Sequence, residues 1–233
     1  MIPKILNRIK KWLFLNEPAT MLEKLKTALL TFETVFDVGA YHGKFADDVL
    51  NILPKLKLHC FEPCMESFNY LADKYRQNKE VKVNHCAVSD FSGTASLNVN
   101  SFKETNSLLE SASVDESINL LTTKLSSEEV RVITLDDYCL QNNIQHIDLL
   151  KIDTQGNSFN VLSGIERMLK EKRIKYLYVE AEFIEIYKGE KLFSEIEILM
   201  RGFNYGIVDI YNMNYINKEK LAWCDVLFTI NKN

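Results

Sequence analysis

From residue 33 onward, short apolar runs alternate with stretches whose apolar residues recur every three or four positions. That alternation predicts an α/β domain, a parallel sheet with helices on both faces. "TVFDV" is the first strand candidate, and Phe45, Val49 and Leu53 predict a helix from Gly43 to Leu53, stopped by Pro54. "LKLHCF" is the second strand; it closes after Glu62 because Pro63 has no N–H to give to a ladder. A helix over 65–77 puts Met65, Phe68, Leu71 and Tyr75 on one stripe. "VKVNHCAV" reads as the third strand, and "SDFSGTASLNV" as a turn at Gly93 into an added strand.

Residues 101–129 are polar, rich in Ser and Thr and without a strong period, which predicts a long functional loop with at most a short helix. Regular structure resumes at "VRVITLDDYC" and "IDLLKID". Phe159, Leu162, Ile165 and Leu169 predict one helix over 157–170, and "IKYLYVE" a fifth parallel strand ending in an acid. "YGIVDIYN" and "CDVLFTIN" read as an antiparallel pair that closes the sheet edge.

In residues 1–31, Ile2, Ile5, Leu6, Ile9 and Leu13 form an apolar stripe beside Lys4, Arg8, Lys10 and Lys11. This predicts a basic amphipathic helical extension ahead of a domain over 32–233. Such a helix can lie on an anionic membrane, but packing on the domain or covering its pocket is the favoured reading. The chain has 233 residues, 28 basic against 32 acidic, with no long run of either sign. Nucleic-acid binding is thereby disfavoured, since it needs a concentrated basic face. The five cysteines are scattered without paired zinc spacing, so they are expected to be reduced and buried, in a cytoplasmic protein.

The chemistry concentrates in "VFDVGAYHG", residues 35–43, where Gly39 and Gly43 bracket Ala40, Tyr41 and His42. A strand, a glycine turn, a helix and a second strand ending in Glu62 form a nucleotide-binding half-fold, and Glu62 can accept hydrogen bonds from both ribose hydroxyls. A dinucleotide fingerprint needs Gly where this chain has Tyr41, because a pyrophosphate must touch that backbone. Tyr41 therefore argues for a ligand without phosphate, and Asp37 beside the turn suits one carrying a positive charge. S-adenosylmethionine is such a ligand. A ligand-free tight turn and a nicotinamide-dependent oxidoreductase on the same kind of sheet are the competing readings.

The chain resembles the FkbM family of S-adenosylmethionine-dependent methyltransferases. The blocks that carry the resemblance are "FDVGAYHG", "CFEPCMESFNYL", "HCAVSDFSGTASL", "NSLL", "VITLDDY", "IDLLKIDTQGNSFNVLSGI", "YLYVEAEF" and "WCDVLFT", in that order over about residues 33–230. The resemblance implies a Rossmann-like class I sheet of seven strands and O-methylation of a sugar, glycan or secondary metabolite. It also implies that Asp37, Gly39, Ala40, Tyr41 and Gly43 form the methionine-side turn. Glu62 then becomes the ribose acid, and Ala87, Ser89 and Asp90 the adenine end. This chain departs from the family where Gln155 or Ser158 stands in place of a common acid, which keeps an inactive cofactor-binding homologue in play.

Ligands of open parallel sheets lie outside the carboxyl ends of the strands. That places Asp153 and Glu180 beside the transferred methyl, as first and second choice for a base that takes the proton of an acceptor hydroxyl. The bland alternatives are a helix cap for Asp153, a job Asn157 could also do, and a salt bridge to Lys175 or a neighbouring loop for Glu180. No metal site is expected. His42 and His85 read as hydrogen-bonded fillers near the pocket, and His59 and His146 lack metal-ligand spacing. The acceptor pocket is expected from 101–129 and 183–193, with Phe102, Tyr187 and Phe193 as stacking faces.

Overall fold

The structure, a computed structural model, describes residues 20–231. The chain divides into two compact units, residues 1–31 and 32–233. In the first, α1 (Met21–Lys24) and α2 (Lys26–Leu29) are single turns, and Thr20 and Glu23 form a reciprocal capping box that satisfies two orphan amides of α1. The apolar stripe from Ile2 to Leu13, and with it the membrane reading, lies outside the described residues.

The second unit is built on a seven-stranded sheet. Its members are β1 (Thr34–Val38), β2 (Lys57–Phe61), β3 (Val81–Asn84), β7 (Ile147–Ile152), β8 (Ile174–Glu182), β9 (Tyr205–Ile216) and β10 (Lys220–Ile230). The strand order is β3-β2-β1-β7-β8-β10-β9. The pairs from β3 to β8 are all parallel, and β10 is antiparallel to both neighbours, so it alone is reversed. This is the Rossmann-like class I methyltransferase sheet.

From β1 the chain winds one way through α3 (Lys44–Ile52) and α4 (Met65–Tyr75), and from β7 the other way through α7 (Ser158–Ser163), α8 (Glu166–Lys170) and α9 (Phe193–Gly202). Because right-handed crossovers in opposite directions place their helices on opposite faces, both faces are covered. All six residues of β7 are buried, as expected for a central parallel strand. The core gathers Phe36, Leu150, Ile152, Leu162, Leu177 and Phe228.

Three expectations are corrected. "VKVNHCAV" divides: β3 joins the large sheet, while β4 (Ala87–Val88) joins a small one of order β4-β6-β5 with β5 (Gly93–Asn100) and β6 (Lys124–Ile133). The region 101–129 is therefore not one long loop. It holds a 3-10 turn (Lys103–Thr105), α5 (Glu116–Leu121) and the first half of β6, which pairs with β5. The single helix over 157–170 breaks at Gly164, whose Cα faces the Ser89 carbonyl so closely that a Cβ would lie 2.1 Å from its oxygen. After β6, Thr134 caps α6 (Leu135–Gln141), accepting the Asp137 N–H at 3.1 Å.

Candidate functional site

The sheet's winding reverses between β1 and β7, and the strand ends diverge there into the crevice where such folds take ligands. Gly39 (φ +73°) and Gly43 (φ +76°) bracket the turn after β1, with Tyr41 also left-handed at φ +44°. The glycines answer first to the protein itself. A Cβ on Gly39 would lie 1.7 Å from the Asp153 carbonyl oxygen, and one on Gly43 would meet the Tyr75 hydroxyl at 2.7 Å.

Four amides of the turn are committed internally. Gly39 and Ala40 both donate to the Phe61 carbonyl, Tyr41 donates to Glu62 Oε2 at 2.8 Å, and Gly43 donates to the Ala40 carbonyl. A turn with most of its N–H groups already used is poorly suited to cradle a pyrophosphate, which agrees with what Tyr41 indicated. The Tyr41 ring stacks on His42 at 3.9 Å, and His42 leans on Tyr70.

Glu62, at the end of β2, is buried and also accepts the Cys64 N–H at 2.9 Å. Burial pushes its carboxyl up to about 7, against the lowering effect of its two backbone hydrogen bonds. Each oxygen keeps acceptor capacity for a diol. Ala87 packs beside Cys64, next to Glu62 in the chain's fold. Ser89 and Asp90 lie farther along: Ser89 is buried under Gly164, and Asp90 is exposed, with the Ser89 hydroxyl donating to it at 3.2 Å.

Asp37 sits beneath the turn and is fully buried. Its counter-charge is Lys151, directly opposite in the β1–β7 register, with Nζ 3.1 Å from Oδ1. Lys151 also donates to the Gly39 carbonyl at 2.7 Å and lies 3.5 Å from Asp153 Oδ2. Burial opposes its charge, but Asp37 and Asp153 outweigh that and hold its pKa above the ordinary lysine value. Asp37 in turn is raised, because burial exceeds what Lys151 restores. Sequence reasoning missed Lys151. The signal was a lysine inside a central strand whose other residues, apart from Asp148, are apolar; a buried lysine requires a partner of opposite sign.

Asp153 and Glu180 are brought together by Gln155, whose Nε2 donates to Asp153 Oδ1 and to Glu180 Oε2, both at 2.9 Å. The helix-cap alternative for Asp153 does not hold, since Asn157 occupies the cap position of α7, and the partner of Glu180 comes from the neighbouring loop as a neutral amide, not from Lys175. Burial raises the Asp153 pKa, yet Lys151 and the Gln155 amide prevail and keep its carboxyl below the usual range. Glu180 is pushed well above it by burial and by Asp153, Glu182 and Asp225. The two groups thus form an acid–carboxylate pair at the strand ends. No group of three metal-ligating side chains occurs among the described residues.

Tyr187 is buried and turned inward to Gln155, so it does not offer the stacking face expected of it, while Phe193 is half-buried, stacked on Phe183 against the core. Phe102 is exposed. The 3-10 turn beside it is tied to α4 by the Lys103–Glu66 ion pair, and Ser107 donates to the Gln155 carbonyl at 2.6 Å, so 101–107 straps the crevice. His85 is hydrogen-bonded to the Pro63 carbonyl and His59 to Tyr138; burial lowers His59 to about 4. Ser158 is buried, and its hydroxyl has no partner among the described residues. All five cysteines are buried and free. No helix among the described residues is long and apolar enough to cross a membrane.

The reversed β10, the switch point and the acid after β2 define a class I methyltransferase fold, whose cofactor is S-adenosylmethionine. Residues 37–207 match the model of the methyltransferase FkbM domain, and the chain belongs to that family. It is similar to the 2-O-methyltransferase NoeI of Sinorhizobium fredii, 26% identical over 167 residues, covering 67% of this chain and 66% of that one. It is also similar to the 31-O-demethyl-FK506 methyltransferase FkbM of Streptomyces tacrolimicus, 27% identical over 200 residues, covering 76% and 74%. Among solved structures, an S-adenosylmethionine-dependent methyltransferase from Aquifex aeolicus aligns over 99% of this chain and 100% of its own (14% identity, TM-score 0.46). The M. capricolum TrmK complex with S-adenosylhomocysteine aligns over 90% and 68% (10% identity, TM-score 0.46).

Proposed function

We propose that this protein methylates a hydroxyl oxygen on a sugar, glycan or other secondary metabolite, with S-adenosylmethionine as donor. The observation that carries the reading is the Asp153–Glu180 pair, joined through one amide at the carboxyl ends of β7 and β8, beside the Gly39–Gly43 turn and Glu62. The names of both curated relatives describe methylation at oxygen, which supports the choice of atom.

When bound, the cofactor supplies an electrophilic methyl on a sulfonium. Glu62 holds the ribose diol, and the turn from Gly39 through Ala40 and Tyr41 to Gly43 carries the methionine side. Asp37 and Lys151 act from below by fixing that turn. Ala87 stands at the adenine end, while Ser89 and Asp90 support its wall from farther out. Asp153 and Glu180 take the acceptor proton; most of the remaining barrier is met by holding the acceptor oxygen in line. The strap 101–107 and the segment 183–193 bound the acceptor side, with Phe102 as its open aromatic face.

The test is transfer of a labelled methyl group to a panel of monosaccharides, oligosaccharides and polyketide alcohols. The wild-type chain labels at least one acceptor, and Asp153→Asn loses about 10²–10⁴-fold in kcat, the usual worth of a positioned base, while still binding S-adenosylhomocysteine. Equal labelling by wild type and Asp153→Asn would remove the base from the mechanism.

A further inference from the structure

We propose that Gln155 is a positioning residue for this chemistry: a neutral clamp that holds Asp153 and Glu180 as one proton-sharing pair and is itself locked by Tyr187. The inference rests on the methyltransferase reading of the site but concerns a residue to which that reading gives no role.

Every polar group of Gln155 apart from its own amide N–H has a specified partner. Its two side-chain N–H bonds are divided between the two carboxylates, each at 2.9 Å. Its Oε1 faces the Tyr187 hydroxyl at 2.9 Å, nearer than that hydroxyl's other acceptor, the Thr105 carbonyl at 3.2 Å. Its backbone carbonyl accepts from Ser107 at 2.6 Å. These partners fix the amide orientation, since carboxylates accept and the hydroxyl donates. The backbone of Gln155 is left-handed, at φ +53°. A residue with a Cβ holds that conformation only where the surroundings over-determine it.

The chemistry explains why an amide stands here. Asp153 faces Lys151 on its own strand, with Asp37 behind that lysine on β1. Glu180 is opposed by Asp225 across the β8–β10 register, and Glu182 lies two residues on. Glu190, after β8, accepts from the Ile186 and Tyr187 amides and so fixes the segment that carries Tyr187. Carboxylates outnumber the one lysine, so a further acid at 155 would add charge where none is balanced. A primary amide offers a hydrogen bond to each member of the pair and adds no charge, so it does not push the last proton of the pair up as a third carboxylate would.

The test follows the carboxyl ¹³C signals of Asp and Glu in the full chain between about pH 4 and pH 10, spanning the range in which carboxyls titrate when paired or buried. Asp153→Asn and Glu180→Gln assign the pair. Gln155→Glu is expected to raise the upper step of the pair by about one unit or more, because a third charge enters the cluster. Tyr187→Phe keeps the ring in place, and is expected to move the same step upward by less. Titration of the pair unchanged in both variants would overturn the clamp, as would shifts spread evenly over all carboxyls. If Gln155→Glu does not fold, Tyr187→Phe decides alone. Calorimetry with S-adenosylhomocysteine on the same samples separates the two readings. Absence of heat with the shifts present removes the methyltransferase reading and leaves the clamp, whereas heat without the shifts removes the clamp only.

Discussion

With Glu62 as the proposed ribose acid, the electrostatics of the fold and ligand binding become linked. The folded Glu62 pKa of about 7 lies above the ordinary 4.5, so the fold favours the protonated acid. The sign follows: its contribution to stability is greatest below about 4.5, falls as pH rises, and is at its least above about 7. Ribose hydroxyls that donate to the carboxylate favour the ionised form. Binding of S-adenosylhomocysteine should therefore release a proton in that window and tighten by up to about tenfold per pH unit, then level off. Calorimetry in buffers of different ionisation heat measures this. Glu62→Gln is expected to remove the slope and weaken binding by about 10- to 100-fold, the worth of hydrogen bonds to a charged group. A slope equal to that of the wild type would show that another group carries it.

The two residues that hold Asp153 from either side, Lys151 and Gln155, were the least legible in the sequence. Lys151 reads as one more strand position, because its counter-charges lie 114 residues upstream at Asp37 and two downstream at Asp153. Only the β1–β7 register joins the first of them to it. Gln155 reads as the loss of an acid, since its role depends on carboxylates from two strands and a hydroxyl from a third segment. By contrast, the placement of Asp153, Glu180 and Glu62 was readable from position alone, because acids at the carboxyl ends of parallel strands fall on one side of the sheet whatever their side-chain directions.

At the scale of elements, the apolar runs of β1, β2, β7 and β8 were readable because central parallel strands are buried on both faces. The start of β6 was not. "KLSSEEV" pairs with β5 across the small sheet with its first residues exposed, so no alternation marks it. The break between α7 and α8 was hidden because Gly164 yields to a carbonyl of a distant segment, not to a local turn. Gly39 and Gly202 measure how far such close approach governs the fold. Gly39→Ala would drive a Cβ into the Asp153 carbonyl from a left-handed backbone, and is expected to lower stability by about 3 kcal/mol or more, some 6–12 °C in Tm for a domain of this size. Gly202 ends α9 with nothing within 4 Å, so Gly202→Ala should be neutral or stabilise by up to about 1 kcal/mol. Thermal unfolding of the two variants side by side is the check, and equal effects would refute the packing account.

For the whole molecule, the decisive feature is the reversal of winding at β1 and β7, which brings Gly39, Glu62, Asp153 and Glu180 to one edge from four strand ends. Everything proposed for the acceptor depends on what that edge binds. The most direct measurement is calorimetric titration of the full chain with S-adenosylhomocysteine and, separately, with NAD. The account predicts saturable heat at one site per chain for S-adenosylhomocysteine, with a raised Tm, and none for NAD. Heat with NAD and none with S-adenosylhomocysteine would contradict it.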